Sequence, residues 1–168
     1  ALNYLERLLS VVEQGQLLQI LEDDTSRRQL LVILGGSPFL ASLFCRDSVF
    51  FAQLFLHREI DQSVGEEQML AELRDLIPLD KTPDECDRLL RRYKARQFLR
   101  IGGRDLCGLA ELEEVTAELS ALAAAALQIA IEFYSCQLQK EYGKPENEDG
   151  GEAEFTVLGM GKFGGYEL

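Results

Sequence analysis

Between about Leu112 and Glu141 the chain carries one unbroken helical pattern, and no other stretch limits its possible folds as strongly. Leu112, Val115, Leu119, Leu122, Ala126, Ile129, Ala130 and Phe133 cluster on one face at 100° per residue, the signature of a helix with a core-facing stripe. Glu111, Glu113 and Glu114 stand at its positive end and Lys140 at its negative end, and Gly143 and Pro145 stop it. Such a helix measures roughly 45 Å. Its apolar face widens through Leu127, Ile131 and Tyr134, which predicts several covering neighbours for the second half.

The residues before it read as further helices. Leu2 to Glu13 places Leu5, Leu8, Leu9 and Val12 at helical spacing ahead of Gly15. Arg27 to Leu34 follows the capping hydroxyls Thr25 and Ser26 and ends at Gly35-Gly36. Ser37-Pro38 joins a capping hydroxyl to a proline at the first helical position, predicting a short helix over Phe39 to Cys45. Ser48 to Leu56 predicts another, His57 to Gly65 a polar connection, and Glu66 to Leu76 an amphipathic helix ending before Pro78. Thr82-Pro83-Asp84-Glu85 is the sharpest helix start: a capping hydroxyl, then proline, then a glutamate able to reach back to the cap N–H. That helix is expected to run to about Ile101 and stop at Gly102-Gly103.

At 168 residues the chain is long enough for one compact domain, or for one domain and the start of another. Its 17 basic and 29 acidic residues leave a net charge of −12, which argues against indiscriminate binding to nucleic acid or to an anionic membrane. No stretch approaches twenty uninterrupted apolar residues, and the N-terminus lacks the pattern of a secretory signal. Cys45, Cys86, Cys107 and Cys136 are widely spaced without CxxC pairs, and His57 is the only histidine. A soluble, reduced, cytoplasmic protein without a zinc site is the expectation.

After Gly143 the character of the sequence changes. Residues 144–154 are acidic and glycine-bearing, reading as a mobile surface linker, and Phe155-Thr-Val-Leu158 is the one convincing strand pattern. It runs into Gly159-Met-Gly161-Lys162-Phe-Gly164-Gly165, a loop whose missing Cβ atoms let backbone N–H groups approach an anion and whose lysine suits phosphate. Gly159-x-Gly161-x-x-Gly164 matches the dinucleotide fingerprint, yet too few residues follow for the acidic residue about twenty positions on. It is not a P-loop, because Lys162 precedes Phe163 and not a hydroxyl. Phe163-Gly164-Gly165 has the apolar-Gly-Gly form of a polymerase-β-like nucleotidyltransferase site, where metals stabilise in-line attack on an α-phosphate. A tight strand-to-helix turn with no ligand is the plain alternative. Tyr166 and Glu167 sit where the loop would enter its helix.

Other candidate residues have bland readings beside functional ones. Arg88, Arg91, Arg92, Lys94, Arg96, Arg100 and Arg104 concentrate seven basic side chains in seventeen positions, as an acidic-partner or phosphate surface would. Arg88, Arg91 and Arg92 fall on the solvent side of a helical wheel. Arg96 and Arg100 drift to the apolar side, where an arginine needs a partner such as Asp105 or a glutamate of the long helix. His57 reads as a surface residue and not a general base, and no cysteine has a setting that lowers a thiol pKa.

Gly159-Met-Gly-Lys-Phe-Gly-Gly-Tyr-Glu-Leu168, Arg91 to Gly108 (RRYKARQFLRIGGRDLCG), Leu112 to Leu122 (LEEVTAELSAL) and Gly36-Ser-Pro-Phe-Leu-Ala41 together resemble the glutamine synthetase adenylyltransferase family over most of the chain. The resemblance implies a long parent enzyme with two nucleotidyltransferase domains. One transfers AMP from ATP to a tyrosine of glutamine synthetase, and the other removes it by phosphorolysis. Arg100-Ile-x-x-Arg-Asp-Leu106 is similar to the region before the first copy, implying the deadenylylating half. The expected organisation is a mainly α fold: a helical bundle over 1–143, the linker 144–154, and the first strand and glycine loop of an α+β nucleotidyltransferase domain over 155–168. Gly161, Lys162, Gly164 and Gly165 are then nucleotide-binding. Mg2+ and ATP or phosphate serve the parent, with none expected tightly bound here, and glutamine synthetase and the PII signal protein are the implied partners. The Asn-x-x-Ser-Asp-x-Asp segment that carries the family's metal-binding aspartates does not occur in this sequence, so the chain alone is expected to be inactive. The competing expectation is a non-catalytic helical module that binds glutamine synthetase or PII.

Overall fold

The computed structural model describes residues 2–151, 153, 155–165 and 168. It is built from helices: α1 (Leu2–Val11), α2 (Gln14–Glu22), α3 (Asp24–Gly36), α4 (Pro38–Phe44), α5 (Ser48–Leu56), a 3-10 turn (Glu59–Asp61), α6 (Glu66–Leu76), α7 (Pro83–Leu106), α8 (Leu112–Tyr142) and the single turn α9 (Gly161–Gly164). The mainly α expectation holds. Local chemistry sets several boundaries: Ser37 Oγ accepts from Leu40 N–H ahead of Pro38, and Asp47 caps α5 through Phe50 N–H. At α7 the expected capping box forms in both directions. Glu85 N–H donates to Thr82 Oγ1 at 3.3 Å, and Thr82 N–H donates to the Glu85 carboxylate at 3.0 Å.

Three expectations are corrected. The sequence reading has no helix over Gln14–Glu22, yet α2 forms with Gly15 inside it and buries Leu17 and Ile20. Helix α3 starts at Asp24, capped by Asp23 accepting from Ser26 N–H and not by Thr25 or Ser26, and it runs through Gly35-Gly36. Helix α7 continues past Gly102-Gly103 to Leu106, because these glycines are sites of close approach and not stops. A Cβ on Gly102 would lie 2.9 Å from Leu40 Cδ1, and one on Gly103 would lie 3.1 Å from Ile33 Cδ1.

The chain divides into two compact units, and the division passes through both long helices. The first comprises Ala1–Ser63 and Lys94–Val115. Its core joins Leu8, Leu17, Ile20, Leu30, Ile33, Leu40 and Leu99 around Phe44, Phe51 and Phe55, whose ring centroids stand 5.3–5.8 Å apart. Rings buried this fully dominate a small core, each costing about 3–5 kcal/mol when cut to alanine.

The second unit comprises Val64–Tyr93 and Thr116–Leu168. Within it Glu118, Leu122, Ala125, Ile129 and Phe133 of α8 are buried at helical spacing. The stripe therefore runs through a glutamate. Arg74 of α6 grips Glu132 with two hydrogen bonds, and Tyr134 Oη donates to Asp87 at 2.7 Å. Helix α8 is long and apolar enough to cross a membrane by length and composition alone, a condition that the core helix of a globular protein also meets. Leu127 remains more than one-third exposed, so the second half is less covered than its composition predicts.

Candidate nucleotide-binding loop

Residues 144–151 fold back around Asn147. Its side-chain oxygen accepts from Asp149 N–H at 3.2 Å and Gly151 N–H at 2.8 Å, with Gly150 at φ +78°. Among the described residues there is no strand, either from Phe155 onward or elsewhere. This departs from the expectation for Phe155 to Leu158. A strand exists through hydrogen bonds to a neighbouring backbone, and the described residues place no such neighbour beside it. Phe155, Leu158 and Met160 are instead largely exposed.

The glycines after Met160 make a self-closing turn. Gly161 stands at φ +63°, a left-handed conformation that L side chains rarely adopt. Gly165 N–H donates to Gly161 C=O at 3.0 Å. The chain passes so close to itself that a Cβ on Gly164 would lie 2.5 Å from Gly159 C=O, and one on Gly159 would lie 3.1 Å from the Phe163 ring. Gly161 and Gly164 are thus required by geometry, one for its torsion and the other for its contact. The Gly164 and Gly165 N–H groups point back into the turn, at 3.5 and 3.0 Å from carbonyl oxygens, and not toward a shared anion. Lys162 is exposed on the same turn. Tyr166 and Glu167 lie outside the described residues.

The basic cluster of α7 separates by burial. Arg88, Arg91, Arg92 and Lys94 are exposed, with Arg91 3.8 Å from Asp87. In the first unit Arg96 stacks over Phe50 at 4.6 Å and donates to Gln53 at 3.1 Å. Arg100 and Arg104 are each only 3% exposed. Arg100 Nε donates to Gln97 Oε1 at 2.8 Å and its Nη1 to Gln62 C=O at 2.7 Å, while Arg104 pairs with Glu114 of the long helix. Protein groups thus hold both buried arginines, and the pair with a long-helix glutamate expected of Arg96 or Arg100 is seen at Arg104. His57 is exposed at the end of α5. All four cysteines are free thiols, and burial pushes Cys45 and Cys86 up in pKa and Cys107 up to about 11, away from nucleophilic use.

Sequence reasoning missed Glu118. It sits fully inside α8's stripe at 4% exposure, and its Oε1 accepts from Val64 N–H at 2.7 Å. A glutamate spaced among Val115, Leu122 and Ala125 is the available signal, because only a carboxylate with a donor is tolerated at such a position.

A helical chain leading into a glycine turn with one free lysine fits the lead-in to a nucleotide-handling transferase. The chain belongs to the glutamate-ammonia ligase adenylyltransferase family, whose sequence pattern matches residues 27–168. Among its relatives, the bifunctional glutamine synthetase adenylyltransferase/adenylyl-removing enzyme of Shewanella woodyi is 35% identical over 140 residues, covering 83% of this chain and 14% of the relative. The protein of the same name from Pseudomonas aeruginosa is 34% identical over 137 residues, covering 81% of this chain and 14% of the relative. That of Nitrosomonas eutropha is 36% identical over 151 residues, covering 86% and 16%. The chain therefore spans a small part of the length of the curated relatives it matches. No solved structure matches it.

Proposed function

We propose that this chain supplies the helical region and the opening of a nucleotidyltransferase domain to a bifunctional enzyme that controls glutamine synthetase. That enzyme adds AMP from ATP to a tyrosine and removes it by phosphorolysis, and the chain serves the removing half. The carrying observation is the family match across residues 27–168, which takes in most of α3, the helices from α4 to α8 and the glycine turn. In this reading residues 1–143 are the helical bundle, 144–154 the linker and 155–168 the first strand and loop. Phe155 to Leu158 pairs once the remaining strands of the sheet lie beside it.

Lys162 provides the positive charge for the nucleotide phosphates, and Gly161, Gly164 and Gly165 keep the turn thin enough for phosphate to approach the backbone. Among the described residues no three His, Cys, Asp or Glu side chains gather as a metal-binding group. These residues do not fit the Mg2+ that the parent uses. The chain alone neither adds nor removes AMP. Glutamine synthetase is the substrate protein and PII a regulatory partner, all within the cytoplasm.

The test is Lys162→Ala in the complete enzyme carrying this chain, with addition of AMP and phosphate-dependent release of AMP assayed separately. Release is expected to fall about 100-fold, the scale of losing one electrostatic contact to a reacting phosphate, while addition is spared. Loss of addition alone would move the chain to the other half. Loss of neither, with tight binding of the isolated chain to glutamine synthetase, would favour the helical interaction module.

A further inference from the structure

We draw no further inference here: the strongest candidate, the cleft of about 530 Å³ between the first turns of α3 and the α7–α8 connection, carries nothing, because the unpartnered Gln29 Oε1 in its wall is sealed from solvent and nothing in the structure shows what ligand would meet Arg28 at its rim.

Discussion

Arg100-Ile-Gly-Gly-Arg104 and Gly161-Lys-Phe-Gly-Gly165 are built from the same materials, a glycine pair beside basic residues, and they do opposite things. In α7 the glycines remove side chains so that Leu40, Ile33 and Ile60 can press against the helix, and the arginines turn inward to protein partners. In the turn after Met160 the glycines let the chain close on itself, and Lys162 is left in water. A basic residue whose hydrogen bonds are taken up by its own protein is structural. One that the fold leaves exposed beside a thin backbone is available to a ligand.

The largest expected difference between the two regions lies in their cations. Arg104→Ala removes one side of a pair whose arginine is buried and whose Glu114 is about one-third exposed. It is expected to cost about 3 kcal/mol, the lower end for breaking a buried pair, because solvent partly screens the glutamate. Lys162→Ala is expected to change stability by less than about 0.5 kcal/mol, as for an exposed side chain. Urea unfolding of both variants decides it. A Lys162→Ala loss above that of Arg104→Ala would overturn the division between the two sites.

The glycine pair of α7 gives the next effect. Gly103→Val would drive two methyl groups toward Ile33 Cδ1 and Ile60 Cδ1, already 3.1 and 3.4 Å from the Cβ position. Overpacking of this kind costs about 1–3 kcal/mol, or a fall of about 2–12 °C in Tm for a chain of this size. An unchanged Tm would mean that the helix contacts here are loose and that the glycines serve another purpose.

Much of this arrangement was legible in the sequence, and the failures have physical causes. Helix α6 and the start of α7 follow from local chemistry, so Glu66, Leu76 and the Thr82–Glu85 box fall where the residues say. Gly102-Gly103 misled because a helix stop and a helix contact demand the same missing Cβ, and only the neighbouring Leu40 tells them apart. Gly15 hid α2 for a different reason: it lies exposed inside the helix, with only Glu13 Oε1 3.9 Å from its Cβ position, so it is tolerated there and not required. Glu118 was hidden because polarity alone assigns it to solvent, while its partner, Val64 N–H, lies 54 positions away. The glycines after Met160 read as a phosphate-binding loop fed by a strand, whereas the described residues form a turn closed on its own carbonyls. Its strand was not realised, because strand pairing is a property of two segments and the sequence describes one.

In the glycine turn itself the effect on global stability is expected to be smaller. Gly164→Ala places a Cβ 2.5 Å from Gly159 C=O, so the backbone must move, yet the turn is exposed and little apolar surface depends on it. The loss expected in urea unfolding is under about 1 kcal/mol. Amide chemical shifts should move for Gly159 to Gly165 and remain in place on α7. Spread of the shifts into α7 would contradict the independence of the two glycine pairs.

Cys107, one residue beyond α7, reads out the packed region without disturbing its fold. Burial raises its thiol from the ordinary value of 9.0 to about 11, against a lesser lowering by the nearby Arg28. Two pKa units leave about a hundredfold less thiolate at the same pH well below both values, and the thiolate is what alkylates. Cys107 in the folded chain is therefore expected to react with iodoacetamide at pH 8 about a hundredfold more slowly than the same cysteine after urea unfolding, measured by peptide mass mapping. The sign for stability follows. Folding favours the neutral thiol, so its contribution is full below pH 9.0 and is lost as pH rises toward about 11. Cys107→Ala should flatten that alkaline decline relative to the parent chain. Equal labelling rates in folded and unfolded protein would show that the end of α7 opens readily, and would place it with the exposed glycine turn instead of against it.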